Sequence, residues 1–165
     1  MIDLKTNYLG IDLKNPLVAS SSPLMEEIGN IKRMEDAGAS AVILHSLFEE
    51  QITLESYDID ETLFQGTDYF AEALSYFPDM THYNLGPGGY LEHIRKAKAA
   101  VDIPVIASMN GVSSGGWIAY ASEIEEAGAD ALELNIYYLP TELNQTASEI
   151  EEMYISLARN IRAAV

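Results

Sequence analysis

Apolar positions fall into short runs of strand-like alternation separated by longer stretches of helical spacing, and their order predicts an α/β chain. Leu17-Val18-Ala19-Ser20-Ser21 reads as a first buried strand, Ala41–His45 as a second, Val105–Met109 as a third and Ala131–Asn135 as a fourth. Helical patterning covers roughly Glu26 to Ala37, Tyr90–Val101, a stretch that follows Gly115-Gly116 and runs to Ala127, and Thr146–Val165. Ahead of them, Thr6–Tyr8 and Ile11–Leu13 flank Leu9-Gly10 as a small hairpin, and Asn15-Pro16 breaks the chain.

The pattern contains a repeat. Glu35-Asp36-Ala37-Gly38-Ala39-Ser40-Ala41-Val42-Ile43-Leu44-His45 is echoed by Glu125-Glu126-Ala127-Gly128-Ala129-Asp130-Ala131-Leu132-Glu133-Leu134-Asn135. In each copy a helix stops at Gly, which takes a left-handed backbone without a Cβ penalty, and a strand follows at once. The corner leaves no room for a hairpin, so the strands must run parallel with crossover helices. Each copy also ends on a polar side chain, His45 or Asn135, at the carboxyl end where α/β proteins carry their chemistry.

One stretch breaks the rhythm. Leu47 to Tyr83 separates a strand from its partner helix by far more than the usual two to six or so residues. It is acidic and rich in aromatics, with a short helix expected at Asp68–Phe77. Such an insertion is a candidate lid or dimer contact, or a plain surface loop. Gly86-Pro87-Gly88-Gly89 after it reads as a loop breaker ahead of the helix at Tyr90.

Side chains alternate along a strand. With Leu132 and Leu134 toward the covering helix, Ala131, Glu133 and Asn135 face the other way, and the repeat puts Ala41, Ile43 and His45 on the matching side. The third strand adds Ser108 with Asn110 beyond it, and the first ends in Ser20-Ser21-Ser22. All four strands therefore start apolar and finish in small hydrogen-bonding groups; solvated loops are polar anyway, but four such endings on parallel strands favour a shared ligand site. Glu133, in mid-strand between two leucines, needs a partner or a raised pKa, and hydrogen bonds to its neighbours are the simpler account. His45 is a candidate proton carrier or anion contact, or only a hydrogen-bonding group. His93 lies on a helix read as exposed, His82 lies in the insertion, and the three histidines are too scattered for metal-ligand spacing.

Composition narrows the field. Nine basic against 26 acidic residues give a formal charge of −17, which argues against nucleic acid or an anionic membrane as partner. With no cysteine, disulfides, thiolate metal sites and cysteine nucleophiles are excluded. No apolar run approaches the ~20 residues of a membrane span, and the N-terminus lacks a signal-peptide pattern, so a cytoplasmic location is expected. The 165 residues suit a single domain, and there is no G-x-G-x-x-G, P-loop or G-x-S-x-G motif.

Several motifs carry a family likeness. Leu13-Lys14-Asn15-Pro16-Leu17-Val18-Ala19-Ser20-Ser21-Ser22, Asn84-Leu85-Gly86 through Tyr90-Leu91, Pro104 through Ser108 with Gly111 and Ser113, and Glu133-Leu134-Asn135 occur in the order and spacing of one group. The chain resembles the class 1 dihydroorotate dehydrogenases and related FMN-binding (β/α)8 barrels. The resemblance implies a TIM-type barrel of which this chain holds about the first four β/α units after an N-terminal hairpin. It also implies FMN as cofactor, with Ser20, Ser21, Ser46, Ser108 and Asn135 lying against the flavin or substrate. Where the family carries a Lys before that Ser, this chain has His45. Where it carries a catalytic Cys or Ser, this chain has Tyr138, and the family's substrate-loop Asn is absent from Pro78–Tyr83. A phenol, with an ordinary pKa of about 10, suits proton donation better than base catalysis.

These departures point to a flavoenzyme of the same fold acting on a small substrate other than dihydroorotate, with Tyr138 or His45 handling the proton. A full barrel needs about 250 residues, so the chain is expected to be either a truncated sequence or a half-barrel that pairs with itself or with another chain. A homo-oligomer, most simply a dimer, follows as the expected assembly. The alternative to an oxidoreductase is a catalytically silent half-barrel acting as an assembly or binding module.

Overall fold

The computed structural model describes residues 2–49, 87–111 and 117–165. A hairpin of β1 (Thr6–Tyr8) and β2 (Ile11–Leu13) leads to β3 (Val18–Ala19), a 3-10 turn at Pro23–Glu26, α1 (Ile28–Asp36) and β4 (Ala41–Phe48). Then come α2 (Pro87–Ala100), β5 (Val105–Asn110), α3 (Trp117–Glu126), β6 (Ala131–Asn135) and α4 (Ala147–Ala164). The four later strands form one parallel sheet in the order β3-β4-β5-β6. The Asp68–Phe77 helix, His82, the substrate-loop positions and nearly all of the aromatic insertion lie outside the described residues.

Both Ala-Gly-Ala corners close their helices by the same bonds. Gly38 N–H reaches the Glu35 carbonyl at 2.9 Å and Ala39 N–H the Met34 carbonyl at 3.0 Å. Gly128 and Ala129 repeat this with Glu125 and Ile124 at 2.9 and 3.3 Å. Both glycines hold positive φ, +104° and +98°, the left-handed turn of a Schellman stop. The next residue then ties each corner to the preceding strand. Ser40 N–H bonds the Leu17 carbonyl at 2.8 Å, and Asp130 N–H bonds the Val105 carbonyl at 2.9 Å. Asp130 also accepts from Val105 N–H at 2.7 Å and is paired to Lys98 at 2.7 Å, so the acidic copy of the corner fixes the start of β5 as well.

The four helices among the described residues pack on one face of the sheet. Ile31, Tyr90, Ile94, Ala97, Ile124, Leu157 and Ile161 cover Val42, Leu44, Leu47, Val105, Ala107 and Met109. On the opposite face the hairpin seals only the amino-terminal end of the strands, where Leu13 packs with Ala41, Ile43 and Ile106. The carboxyl ends on that face are left to polar side chains.

Several boundaries differ from the sequence reading. α2 begins at Pro87 rather than Tyr90, because the fixed φ of proline suits the first helical position, where its missing N–H costs nothing. β4 runs on to Phe48, so the long segment starts after that residue and not at Leu47. The first parallel strand shrinks to Val18–Ala19. No described helix is long and apolar enough to cross a membrane.

Candidate functional site

The inner face is built as rows of side chains across the sheet. Ile43, Ile106 and Ala131 stand in register, then Ser46, Ser108 and Glu133, then Phe48, Asn110 and Asn135. An apolar floor thus gives way to a polar row one step nearer the carboxyl ends. Strict alternation from Ile43 would put His45, not Ser46, beside Ser108. The register of β4 against β5 shifts between Ile43 and Ser46, and this extra residue turns Ser46 inward.

The polar side chains form one continuous set of hydrogen bonds from β3 to β6. Ser21 and Ser46 hydroxyls lie 3.1 Å apart, and Ser46 and Ser108 hydroxyls 2.8 Å apart. Ser108 Oγ donates to Glu133 Oε1 at 2.8 Å. Asn135 Nδ2 donates to the same oxygen at 3.1 Å and to Asn110 Oδ1 at 2.8 Å. Glu133 is therefore held by hydrogen bonds to its neighbours, the simpler account of a carboxylate in mid-strand. Ser108, with no exposed surface, is the centre of the set.

Ser108 is also gripped from behind. The fully buried Tyr90 of α2 accepts from Ser108 N–H at 2.9 Å and donates to the Ser108 carbonyl at 3.1 Å. One phenol thereby satisfies both backbone groups of this residue beside the irregularity in the ladder. Burial pushes the Tyr90 phenol well above its ordinary pKa against the opposing bond to Ser108, and the nearby Glu133 charge adds to the rise. The hydroxyl accordingly keeps its proton.

His45 is placed differently from expectation. Its ring meets Tyr90 edge-on at 5.2 Å and His93 at 5.2 Å, both on α2, so it lies between sheet and helix and not in the mouth with Glu133 and Asn135. The cause is the same extra residue that turns Ser46 inward. Burial first, then His93, lowers its pKa to about 4, against the Met25 carbonyl; its Nδ1 is buried with no hydrogen-bond partner among the described residues. His93 corrects a second expectation: it is buried, and its Nε2 donates to the Met25 carbonyl at 2.7 Å. Burial is also the main cause lowering its pKa.

Of the other residues singled out, Ser21, Ser46, Ser108 and Asn135 come together in the hydrogen-bonded set, while Ser20 is exposed at the end of β3 and outside it. Tyr138 follows β6, with its hydroxyl donating to Gln145 at 2.9 Å and its N–H to the Tyr154 hydroxyl at 3.2 Å. Tyr90 is a site residue absent from the expectations above, and His93 is buried rather than exposed. A signal for both exists, because they sit three apart in the stripe that continues through Ile94 and Ala97.

A parallel sheet covered by helices on one face, with polar side chains gathered at the carboxyl ends of its strands, is the architecture of the TIM-barrel enzymes. Dihydrodipicolinate synthase from Agrobacterium tumefaciens shares this fold at a TM-score of 0.50 and 17% identity, over 90% of this chain and 41% of that one. A phosphonopyruvate hydrolase aligns at a TM-score of 0.49 and 19% identity, over 92% of this chain and 44% of the other. In sequence, the chain is 31% identical over 137 residues to the catalytic subunit of dihydroorotate dehydrogenase B (NAD(+)) of Thermoplasma acidophilum. That match takes in 82% of this chain, which spans about two fifths (42%) of the relative. No protein-family model matches the chain.

Proposed function

We propose that the polar rim binds FMN and that the chain contributes the first four β/α units of an FMN-dependent oxidoreductase barrel of the dihydroorotate dehydrogenase type. The observation that carries this reading is the row Ser46–Ser108–Glu133 over the floor of Ile43 and Ile106. Hydroxyl, amide and carboxylate groups above an apolar floor suit the faces and hydrogen-bonding edge of a flat heterocycle. Ser21, Ser46 and Asn135 would hold the ring, with the buried Ser108 fixing Ser46 and Glu133 from behind. Among the described residues no Lys or Arg takes part in the hydrogen bonds of the rim, so a phosphate would be met elsewhere. FMN, when bound, would supply the two-electron chemistry that side chains lack.

The chain's own part is to bind, orient and manage a proton. Tyr90 fixes Ser108, and Ser108 with Asn135 fixes Glu133, so the rim is set before a ligand arrives. The proton falls to Tyr138, whose hydroxyl must leave Gln145 to deliver it. It does not fall to His45, which faces the helix layer. The relative's name points to dihydroorotate; the absent substrate Asn and the Tyr in place of Cys or Ser favour another small substrate.

Purified protein supplemented with FMN should retain it through gel filtration, turn yellow, and release free FMN on denaturation. Asn135→Ala should weaken retention while leaving the fold intact by circular dichroism. Colourless protein that retains no FMN would leave the other reading, a half-barrel acting as a binding module. Within the described sheet, β3 and β6 each pair on one side only, which gives that reading its footing.

A further inference from the structure

The two edges of the sheet differ in a complementary way. Among the described residues β3 and β6 each pair on one side only, so each presents backbone groups to a further strand. Beside β6 the helix layer overhangs the edge. A right-handed crossover lays each helix over the seam between its own strand and the next, and α4 follows β6, beyond which no described strand lies. The overhang leaves a groove of about 550 Å³ walled by Ile124, Leu132, Leu134, Ala158, Ile161 and Val165. At the other edge Leu17, whose carbonyl accepts from Ser40 N–H, is 64% exposed. It alternates with Val18, which packs on the inner floor with Leu13 and Ile43, so Leu17 belongs to the helix side of the sheet. Charge matches too. At the amino-terminal end of the sheet the exposed Lys14 precedes β3, whereas the exposed Glu125 lines the groove beside β6.

We infer that a second copy of this chain closes the barrel: β3 of each copy pairs in parallel with β6 of the other, Leu17 fills the groove, and Lys14 meets Glu125. Four strands from each copy make the eight of a closed barrel. One two-fold axis forms both seams at once and leaves no open edge. The floor closes as well, because Val18 and Ala131, the partly buried residues at its two ends, come together. The inference rests on the barrel reading above and supplies the other half of its mouth. The polar row of one copy runs from Ser21 to Glu133, and its Glu133 end then meets the partner's Ser21.

Sedimentation velocity of the full chain tests this, in salt enough to screen the −17 that each copy carries. The expected mass is that of two chains. Leu17→Asp puts a charge into the groove and should weaken the association at least about ten-fold, with the far-UV circular dichroism unchanged. A second arm uses the absence of cysteine. Leu17→Cys and Ala158→Cys proteins, mixed, left to exchange and treated with a short bis-maleimide, should give a cross-linked pair that neither gives alone. This arm stands even if Leu17→Asp fails to fold. A monomer, a dimer unmoved by folded Leu17→Asp, or no cross-link specific to the mixture overturns the proposal. FMN retention is scored separately. A monomer that retains FMN loses this inference only, and a cross-linked dimer that retains none loses the flavin reading only.

Discussion

Removing one oxygen atom from Tyr90 should destabilise the protein more than its size suggests. Tyr90→Phe preserves the ring that fills the helix–sheet interface and deletes the hydroxyl that serves both Ser108 N–H and Ser108 carbonyl. Both residues are fully buried, so solvent cannot replace the lost partner. The vacated volume is also smaller than an ordered water requires. One orphaned donor and one orphaned acceptor cost about 1–3 kcal/mol each, and partial relaxation of the strand brings the sum to about 2–4 kcal/mol. For a chain of this length that is a loss of about 5–15 °C in Tm. Urea unfolding followed by circular dichroism should show a lower midpoint at an unchanged slope. Tyr8→Phe, on the 46% exposed tyrosine of the hairpin, should stay within about 0.5 kcal/mol of wild type. The raised pKa gives a second handle. A group protonated in the fold above its ordinary pKa contributes stability that is complete below about pH 10 and falls as pH rises beyond it. Tyr90→Phe should lack that alkaline loss. A variant as stable as Tyr8→Phe, with the alkaline slope intact, would refute the clamp.

Acid should act through the histidines: with pKa values lowered in the fold, His45 to about 4, they bind protons first in the unfolded chain. Stability present above about pH 6.5 is therefore lost as pH falls toward 4, and His45→Leu should flatten that slope in a series of urea titrations. Gly128→Ala should cost about 1–2 kcal/mol by the same assay, because φ is +98° while an added Cβ meets nothing nearer than Lys98 Cγ at 4.0 Å. The Thr146 hydroxyl accepts from Glu149 N–H at 3.3 Å while Glu149 reaches back to Thr146 N–H at 2.7 Å, so Thr146→Ala should cost about 1 kcal/mol and lower the helical signal.

The repeated corner made much of this fold readable. Gly followed at once by a strand allows only parallel pairing, and Ala131–Asn135 begins and ends where its alternation and flanking residues place it. The polar finishes of the strands were readable for the same reason, since side-chain direction follows from counting. Counting fails where a strand gains a residue. The helix-facing apolar positions of β4 are Val42, Leu44 and Leu47, a spacing of two and then three. That slip is visible in the sequence, and it puts His45 on the helix-facing side, opposite to the side that the repeat with Ala131–Asn135 predicts. His93, expected on an exposed helix, is buried because the Met25 carbonyl and the His45 ring give it a place there. Tyr90 gave no warning of its grip on Ser108, because that bond joins residues that only the packing of helix on sheet brings together.

The central claim is that the polar row at the strand ends is where a flat heterocycle binds. Backbone amide chemical shifts recorded during a titration with FMN test it most directly. Saturable changes should concentrate at Ser21, Ser46, Ser108, Glu133 and Asn135, and the Gly38 and Gly128 corners at the opposite end of the sheet should stay still. Changes confined to other surfaces, or no saturable change at all, would contradict the account.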